Sequence, residues 1–407
     1  MEKVVITGLG TVNPLGNNTK TYWNNLVKGK NGISEISLFD TKQFKVKIAG
    51  ESKIDLNNYF NTKELNKLDR FSAFSIIAAD EALKDSQLKN FNPDRVGVII
   101  GSGIGGINSL EEQHTRLLKN PKRVSPYFIP KMISDIAPGH ISIKHGFKGP
   151  NYSVVSACAS SNHAIGNAYN LIKYGDADIV VTGGSEAGIS PLSIAGFMNM
   201  KALTENSNIS NASRPFDLKR DGFVMGEGAG ILILESLSSA IKRNAKIYSE
   251  IRGYGATADA YHLTSPHSHG QGAIESMKIA IKNSKINCKE IDYINAHGTS
   301  TYYNDKIETL AIKKVFNSHA YEINISSIKS MIGHLLGAAG SVEAISTVLS
   351  IYNSFIPPTI NQKDQDPDCD LNYTPNKGIK KNINNAFSNS FGFGGHNASI
   401  LFSKHTN

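Results

Sequence analysis

The stretch that decides the fold reads Tyr152-Ser153-Val154-Val155-Ser156-Ala157-Cys158-Ala159-Ser160-Ser161. Its β-branched start predicts a buried strand, and the helix-like residues 162–173 follow at once, so Cys158 falls at a strand-to-helix turn. Unpaired N–H groups at a helix start favour thiolate over thiol, and the small neighbours leave room for a substrate carbonyl. A lone intracellular cysteine is more often buried and inert. Partners elsewhere in the chain must decide between the two interpretations.

Two histidines stand far downstream, each in a glycine-rich turn. His297 lies in Asn295-Ala296-His297-Gly298-Thr299-Ser300-Thr301, after the strand-like residues 291–294. His334 lies in KSMIGHLLGAAG, residues 329–340, five positions after Lys329. One cysteine with distant histidines is the expected layout of a cysteine nucleophile whose helpers are adjacent in space rather than in sequence. Cys158, His297 and His334 are therefore candidate catalytic residues.

Strand-like and helix-like segments alternate along the chain, which indicates an α/β protein. The predicted strands are 3–7, 95–100, 152–156, 179–182, 230–235, 246–253, 293–295, 323–326, 385–388 and 398–402. The predicted helices are 69–85, 164–174, 238–243, 273–283, 305–316 and 340–353. A polar stretch at 243–248 separates two halves, each with a reactive-looking turn before a helix and a glycine-rich strand exit. We expect a duplicated unit divided into 1–247, which carries the cysteine, and 248–407, which carries both histidines.

Composition and charge exclude several classes of function. The chain has 407 residues and a net charge of +8, but its lysines are spread without a dense basic block, so nucleic-acid binding is a poor inference. No apolar run approaches the ~18 residues of a membrane span, and the chain opens on a strand without a leader-like segment. The three cysteines, 158, 288 and 369, give no disulfide framework or zinc pattern. A reducing compartment fits these features.

Three further motifs carry little weight. The run Gly101-x-Gly103-x-x-Gly106 follows a strand, but no acidic residue about 20 positions later completes a dinucleotide fingerprint. The histidines of 262–269 lack cysteines or carboxylates at ligand spacing. The aspartates of 364–370 resemble a calcium loop, yet Pro367 intrudes and no glycine or closing glutamate follows. The sequence therefore predicts no nicotinamide cofactor and no metal.

From end to end the chain resembles the elongating β-ketoacyl-acyl carrier protein synthases, and most of all the synthase II type of fatty-acid synthesis. Besides both histidine motifs, the shared segments are VITGLG at 5–10, GSGIGG at 101–106, SRPFD at 213–217, RDGFVMGEG at 220–228 and NSFGFGG at 389–395. Each segment alone is common, whereas seven in the family's order are specific. The resemblance implies the duplicated thiolase-like fold, a five-layer α-β-α-β-α sandwich.

The resemblance also implies a reaction. Cys158 would take an acyl group from a carrier thioester, with the backbone N–H groups of Cys158 and Phe393 as the oxyanion hole, where one donor is typically worth ~3 kcal/mol. A malonyl thioester would then lose CO2, and its enolate would attack the acyl-enzyme, which lengthens a fatty acid by two carbons. His297 and His334 would serve as neutral N–H donors to the enolate oxygen. This role explains two histidines where a protease uses one as a base.

Supporting residues follow by the same resemblance. Lys329 and Glu343 would form a buried ion pair behind the histidines. Thr299 and Thr301 would hold the pantetheine arm of the donor.

The acyl pocket is expected to involve three apolar residues. Ile104 matches the position at its far end, and Phe197 and Phe393 match residues that line the passage to Cys158. Glycines on both sides of Phe393 would let that ring swing.

The implied partners are acyl and malonyl carrier proteins and a second copy of the chain, with the apolar run 152–155 as the dimer contact and no cofactor. Bacterial cytoplasm is the expected compartment. A plastid-type organelle stays open, because His396 stands where most bacterial synthases have threonine and plant-plastid relatives resemble this chain. Ser156 and Ser160-Ser161 also depart from the common pattern, by small changes that leave the chemistry intact.

Rival functions share the fold. A polyketide-type ketosynthase remains the alternative, since its motifs are nearly the same. A biosynthetic thiolase is much less favoured, because its second cysteine near the C-terminus is missing and Cys369 falls in a loop. A synthase III relative would carry asparagine in place of the second histidine, and a non-catalytic chain-length partner would have lost Cys158.

Overall fold

The computed structural model describes residues 1–406. The strands are β1 Val4–Val12, β2 Ser34–Glu35, β3 Ile48–Ala49, β4 Val96–Gly101, β5 Asn151–Val154, β6 Ile179–Glu186, β7 Gly228–Ser236, β8 Ser249–Ala258, β9 Tyr293–Asn295, β10 Asn324–Ser326, β11 Phe355–Ile356, β12 Ile379–Lys380, β13 Asn385–Gly392 and β14 His396–Ser403. The helices are α1 Thr19–Val27, α2 Thr62–Leu65, α3 Arg70–Ser86, α4 Ile107–Lys119, α5 Phe128–Met132, α6 Ile136–His145, α7 Ser160–Lys173, α8 Pro191–Asn199, α9 Leu237–Lys242, α10 Gln271–Ser284, α11 Tyr302–Phe316, α12 Lys329–Ile332 and α13 Ala339–Asn353.

The main sheet is built twice from the same plan. Its strand order is β10-β9-β13-β14-β8-β1-β7-β6-β4-β5, and the two halves join where the starts of β1 and β8 pair. Counted within each half, the strands lie in the order third, second, fourth, fifth, first. In both halves the third, second and fourth strands are parallel, and the fifth runs antiparallel to both its neighbours. The predicted duplication is therefore visible in the topology.

The helices form three layers: one outside each half of the sheet and one between the two halves. After the third strand of each half comes a central helix, α7 or α13, and these two helices contact each other and strands of both halves. Helices α3 and α6 cover the outside of the first half, and α10 covers the second, where residues of α11 share an apolar cluster with residues of β9, β10 and β13. The result is the expected α-β-α-β-α sandwich. The predicted boundary after residue 247 falls between α9 and β8.

Glycines allow the outer helix to approach the first strand in each half. A Cβ on Gly10 of β1 would lie 2.0 Å from the carbonyl oxygen of Ala78 in α3. A Cβ on Gly255 of β8 would lie 1.9 Å from the carbonyl oxygen of Ser276 in α10. Backbone cannot withdraw from such contacts, so only glycine fits. The glycines of the first strand thus serve helix packing.

The structure corrects one expectation about the strand before Cys158. This strand, β5, is not buried: it forms an edge of the sheet, with Tyr152 37% exposed and Val155, just after it, 60% exposed. A β-branched run predicts a strand but not how many of its edges are covered. Sequence patterns also missed helices α1, α4, α6 and α8. Within residues 1–406, no helix combines the length and apolar character required to cross a membrane.

Candidate active site

Three segments bring the predicted catalytic residues together in a buried cluster. Cys158 lies in a short 3-10 turn between β5 and α7, His297 follows β9, and His334 follows α12. His334 Nε2 is 3.1 Å from Cys158 Sγ, and the rings of the two histidines lie edge to face with centroids 5.3 Å apart. All three side chains are buried. The arrangement is that of a nucleophile with two adjacent donors.

The turn that carries Cys158 is held by its own serines and by a close strand. Ser160 Oγ accepts the N–H of Ser156 at 2.9 Å and donates to the carbonyl of Ala157 at 2.6 Å. On the other side, a Cβ on Gly392 would lie 3.0 Å from the backbone nitrogen of Cys158. The glycine therefore lets the end of β13 approach the nucleophile and places Phe393 beside it.

Hydrogen bonds to the backbone fix how His334 presents its ring. Its Nδ1 accepts the N–H of Leu336 at 3.3 Å, so in the neutral ring the proton is on Nε2, which faces Cys158 Sγ. Burial, assisted by the charge of Lys329, holds the pKa of His334 well below its usual range. His334 is therefore a neutral N–H donor.

His297 is arranged in the same manner by Lys329. The ammonium of Lys329 donates to the carbonyl oxygen of His297 at 2.6 Å and lies 3.4 Å from its Nδ1. Burial lowers the pKa of His297 well below its usual range, and the charge of Lys329 and the ring of His334 lower it further. With Nδ1 facing a cation, the proton of the neutral ring is on Nε2.

Lys329 is itself neutralised by Glu343. The two charged groups form an ion pair in which both side chains are 1% exposed. Burial raises the pKa of Glu343 to about 7, and Lys329 opposes that rise. The predicted ion pair thus sits directly behind the histidines.

Burial outweighs the helix-start effect at Cys158. It raises the pKa of the thiol to about 11, although Lys329 and the backbone N–H groups of Phe393 and Cys158 lower it. The N–H groups at the helix start favour the thiolate, as expected, but desolvation of the sulfur dominates, and the thiol is the resting form at neutral pH. The same two N–H groups lie beside the sulfur, where they are close to the carbonyl of any acyl group bound to Cys158.

A cavity of about 340 Å³ leads to Cys158 and contains most of the predicted substrate-contacting residues. Thr299 and Thr301 lie on its wall with their hydroxyl oxygens 2.8 Å apart. Phe197 and Phe393 also line it, with ring centroids 6.4 Å apart. One wall therefore offers paired hydroxyls and the other aromatic rings.

Ile104 lies outside this cavity but next to it. It packs in an apolar cluster with Phe197 and Leu336, both of which line the cavity. Its other side lines a second cavity of about 490 Å³, which includes Val155 at the exposed sheet edge. Ile104 thus stands between the two cavities.

Sequence analysis missed the carboxylates that shape the turns of the site. Asp305 accepts the N–H groups of Thr299 and Ser300, and Glu308 accepts those of His297 and Gly298, at 2.8 to 3.2 Å. Burial raises the pKa of Glu308 to about 7. Two acids three residues apart share one face of a helix. That spacing, just after a glycine-rich turn, was a usable signal.

The cluster of Cys158, His297 and His334 has atoms that could bind a metal, but both histidines carry their proton on Nε2. Metal-ligating atoms of Cys158, His297 and His334 all lie within 4.8 Å of one another. Metal binding at Nε2 would move each ring proton to Nδ1, where Leu336 N–H and the Lys329 ammonium already point. Two donors would then oppose each other, so the cluster suits hydrogen bonding to a substrate.

Close to His297 in sequence or structure are three buried oxygen atoms that lack hydrogen-bond partners within the described part of the chain. Asn295 and Ser388 are neighbours on paired strands, and the amide of Asn295 reaches the backbone of Glu343. Among residues 1–406, Asn295 Oδ1, Ser388 Oγ and Glu343 Oε2 have no hydrogen-bond partner. Amide, hydroxyl and carboxylate oxygens are ligands that hard cations prefer.

The three weak motifs have structural explanations. In the run 101–106, the N–H groups of Gly103 and Ile104 already bind the carboxylate of Glu186, so they do not point at a free phosphate site. The aspartates of 364–370 pair with successive basic side chains. In the loop 262–269, the Nδ1 atoms of two histidines accept N–H groups of the loop itself.

Two family models match this chain. Residues 1–240 match the β-ketoacyl synthase N-terminal domain, and residues 248–363 match the β-ketoacyl synthase C-terminal domain. The chain is 49% identical over 407 residues to "3-oxoacyl-[acyl-carrier-protein] synthase 2" of Staphylococcus aureus strain N315, covering 99% of this chain and 98% of that protein. The protein of the same description from a Synechocystis strain is 48% identical over 409 residues, with the same coverage.

Solved structures agree in fold over the full length. A β-ketoacyl synthase from Burkholderia phymatum superposes with a TM-score of 0.91 at 30% identity, covering 100% of both chains. A structure described as a type II PKS acyl-carrier protein in complex with its ketosynthase bound to the hexaketide superposes with a TM-score of 0.93 at 35% identity, also covering 100% of both chains.

Proposed function

The chain belongs to the β-ketoacyl synthase family, and from this premise we propose that it is a 3-oxoacyl-[acyl-carrier-protein] synthase of fatty-acid synthesis. It joins malonyl carrier protein to an acyl group held on Cys158, and CO2 is released. One observation supports this most directly: two neutral histidines each place a ring nitrogen within 4.8 Å of the same buried sulfur. A hydrolase would need a histidine that accepts the proton of its nucleophile, and the Nε2 proton of His334 opposes that role.

The first half-reaction transfers the acyl group. Cys158 Sγ attacks the acyl carbonyl of the carrier thioester, the C–S bond to the carrier breaks, and the carrier thiol leaves with the proton from Cys158. The N–H groups of Cys158 and Phe393 stabilise the oxyanion, a type of donor worth about 3 kcal/mol each.

The second half-reaction forms the new carbon–carbon bond. The malonyl thioester enters, its carboxylate leaves as CO2, and the electron pair forms an enolate. His297 and His334 donate their Nε2 protons as hydrogen bonds to the enolate oxygen. The enolate carbon attacks the acyl carbonyl on Cys158, the thioester bond to Sγ breaks, and the sulfur takes up a proton. Lys329 and Glu343 keep both rings neutral and oriented, and the hydroxyls at 299 and 301 hold the pantetheine arm.

The proposed partners are acyl carrier protein and a second copy of the chain. A carrier protein accompanies the ketosynthase in the hexaketide-bound structure, and the cavity here is open to a flexible arm. The edge strand β5 is unpaired on one side and exposes Tyr152, as a self-pairing edge would. Two-fold dimers are the commonest oligomers. A monomer mass by light scattering at micromolar concentration would exclude the dimer.

The proposal includes no cofactor and places the protein in bacterial cytoplasm, since the curated relatives above come from bacteria. The two halves, 1–247 and 248–407, are proposed as its domains. A polyketide-type ketosynthase is the second candidate, supported by the hexaketide-bound neighbour. Its 35% identity is lower than the 49% shared with the synthase 2 proteins, which favours fatty-acid synthesis.

One experiment tests the function and separates the candidates. The protein is incubated with acyl carriers of graded length plus malonyl carrier, and the products are weighed by mass spectrometry. We expect one two-carbon extension per cycle of saturated acyl carriers. Absence of any condensation product would overturn the proposal, and repeated extension without reduction of the 3-oxo group would favour the polyketide type.

A further inference from the structure

Glu186, the last residue of β6, has a fully buried carboxylate that none of the steps above uses. Its Oε2 accepts the N–H groups of Gly103 at 2.6 Å and Gly337 at 3.0 Å. Its Oε1 accepts the N–H of Ile104 and the hydroxyl of Ser102, each at 3.1 Å. One carboxylate therefore joins the loop before α4 to the loop before α13.

The environment of Glu186 suits an ionised carboxylate without a cation. Within residues 1–406, no basic side chain forms an ion pair with it. Three of its four donors are backbone N–H groups, which cannot reverse their role. A protonated carboxyl group would place its own hydrogen against one of these donors, so the hydrogen bonds favour the charged form although burial raises its pKa.

The loops that contain Gly103 and Gly337 are packed too tightly to rearrange around a different hydrogen-bond acceptor. A Cβ on Gly337 would lie 2.2 Å from the backbone nitrogen of Gly103 and 2.7 Å from Glu186 Oε2. A Cβ on Gly103 would lie 2.8 Å from the same oxygen and 3.5 Å from the carbonyl of Ala157, in the Cys158 turn. Two loops thus meet at the carboxylate, and the Cys158 turn packs against one of them at Gly103.

Each loop carries a residue that shapes the substrate space. Ile104 follows directly on Gly103 and stands between the two cavities. Leu336 precedes Gly337, lines the Cys158 cavity and donates its N–H to His334 Nδ1. Leu336 has a positive φ of 48°, a strained conformation for this residue type that the surroundings must maintain.

We propose that Glu186 is a positioning residue that holds Ile104 and Leu336 in register beside Cys158 and thereby sets which acyl chain lengths the enzyme accepts. This inference rests on the proposed function. The carboxylate acts through the two loops and does not touch the substrate.

Two variants separate the effect of the Glu186 charge from the effect of its side-chain length. In Glu186→Gln, the amide nitrogen accepts no hydrogen bond, so one pair of donors loses its acceptor. In Glu186→Asp, the charge remains but the side chain is one methylene too short to hold both loops. Both variants should change the ratio of kcat/KM for long and short acyl carriers by about tenfold. The free-energy penalty of one unsatisfied buried donor corresponds to a factor of about that size.

A second measurement follows the charge alone. The negative charge of Glu186 raises the pKa of Cys158, so Glu186→Gln should alkylate faster than the parent at pH 8, whereas Glu186→Asp should not. Glu81→Gln is the matched control. Glu81 also accepts two backbone N–H groups, at 2.9 and 2.8 Å, but on the outer helix α3. It should keep the parental chain-length ratio and the parental alkylation rate.

The inference is overturned if both Glu186 variants are folded by circular dichroism and keep the parental chain-length ratio. If neither folds, Ser102→Ala decides, because it removes a single donor on the Ile104 side and leaves the carboxylate in place. A parental ratio in Ser102→Ala would also overturn the inference. If the parent itself condenses no acyl carrier, the proposed function fails instead, while the alkylation rates still report on Glu186 and Cys158.

Discussion

Cys158 and His334, whose reacting atoms lie 3.1 Å apart, occupy corresponding places in the two halves of the molecule. Each follows the third strand of its half and precedes one of the two central helices, α7 or α13. The duplicated topology therefore brings the proposed nucleophile from one half and a proposed donor from the other to the same point. His297, which follows the second strand of the second half, completes the cluster.

Replacing the nucleophile should abolish the reaction. We expect Cys158→Ala to lose all condensation activity and all covalent labelling by a thiol-directed acyl mimic. Cys369 is buried and its pKa is raised to about 12, so it should react slowly. Peptide mass spectrometry after partial inactivation measures this. Modification of Cys288 or Cys369 that tracks the loss of activity better than modification of Cys158 would contradict the assignment.

The histidine variants should separate the two half-reactions. His297→Ala and His334→Ala should each cut malonyl decarboxylation by about 10²–10³-fold, as removal of one oxyanion donor does. Some acyl transfer to Cys158 should remain, because the backbone N–H groups serve that step. Release of labelled CO2 and acyl-enzyme formation are measured separately. Equal loss of both half-reactions in both variants would count against the division, and His297 is the cleaner test, since His334 also contacts the sulfur.

The thiol of Cys158 should titrate late. Burial raises its pKa from 9.0 to about 11, so the alkylation rate should keep climbing above pH 9. The folded-state pKa exceeds the unfolded value, so the associated stability is complete below pH 9 and is lost as pH rises through about 11. Urea unfolding of the parent and Cys158→Ala at pH 8 and pH 10 measures this. The parent should lose more stability than the variant, and equal losses would show that burial does not govern the thiol.

Breaking the buried ion pair should be costly. Lys329→Met leaves the carboxylate of Glu343 buried without a partner, a change that costs about 3–5 kcal/mol of unfolding free energy. Lys306→Met is the matched control, because Lys306 pairs with Asp368 at the surface, where solvent screening leaves such a pair little effect on stability. Chemical denaturation measures both variants. Equal destabilisation would show that burial adds nothing to the importance of Lys329.

The position of Ile104 should control chain length. Ile104→Phe adds a ring to the apolar cluster behind the cavity, and such overpacking typically costs about 1–3 kcal/mol. Medium and long acyl groups should be blocked while short ones are spared. By contrast, Phe393→Ala should slow acyl transfer at every length. An Ile104→Phe enzyme with the parental ratio of long to short products would show that this side chain does not limit the pocket.

The sequence was sufficient for residues whose role depends on local pattern. Cys158, His297 and His334 lie at turns whose strands, helices and glycines are contiguous in sequence, so their placement could be predicted. Glu186 could not, because its four donors come from two distant loops and no spacing connects them. The protonation state of Cys158 could not be predicted either. The helix start is visible in the sequence, whereas the depth of burial depends on tertiary packing.

The exposure of β5 illustrates a second limit. A run of β-branched residues reflects what a strand will pack against, and that surface can be supplied by another molecule as well as by the same chain. Tyr152 and Val155 are therefore exposed here without being unusual for a strand. A sequence pattern predicts that a strand will be covered, but not whether the same chain or another molecule covers it.

The division of the site between two halves has a consequence for how the chain acquires activity. The residues that meet at the sulfur are 176 positions apart, so their contact joins two segments that are distant in sequence. Contacts of such separation are slow to form. Each half can form its own strands before Cys158 and His334 meet. Catalytic activity would then arise only when the two halves dock. A reagent that recognises the assembled Cys158–His334 pair would thus serve as a clock for that step during refolding, lagging behind the recovery of secondary structure.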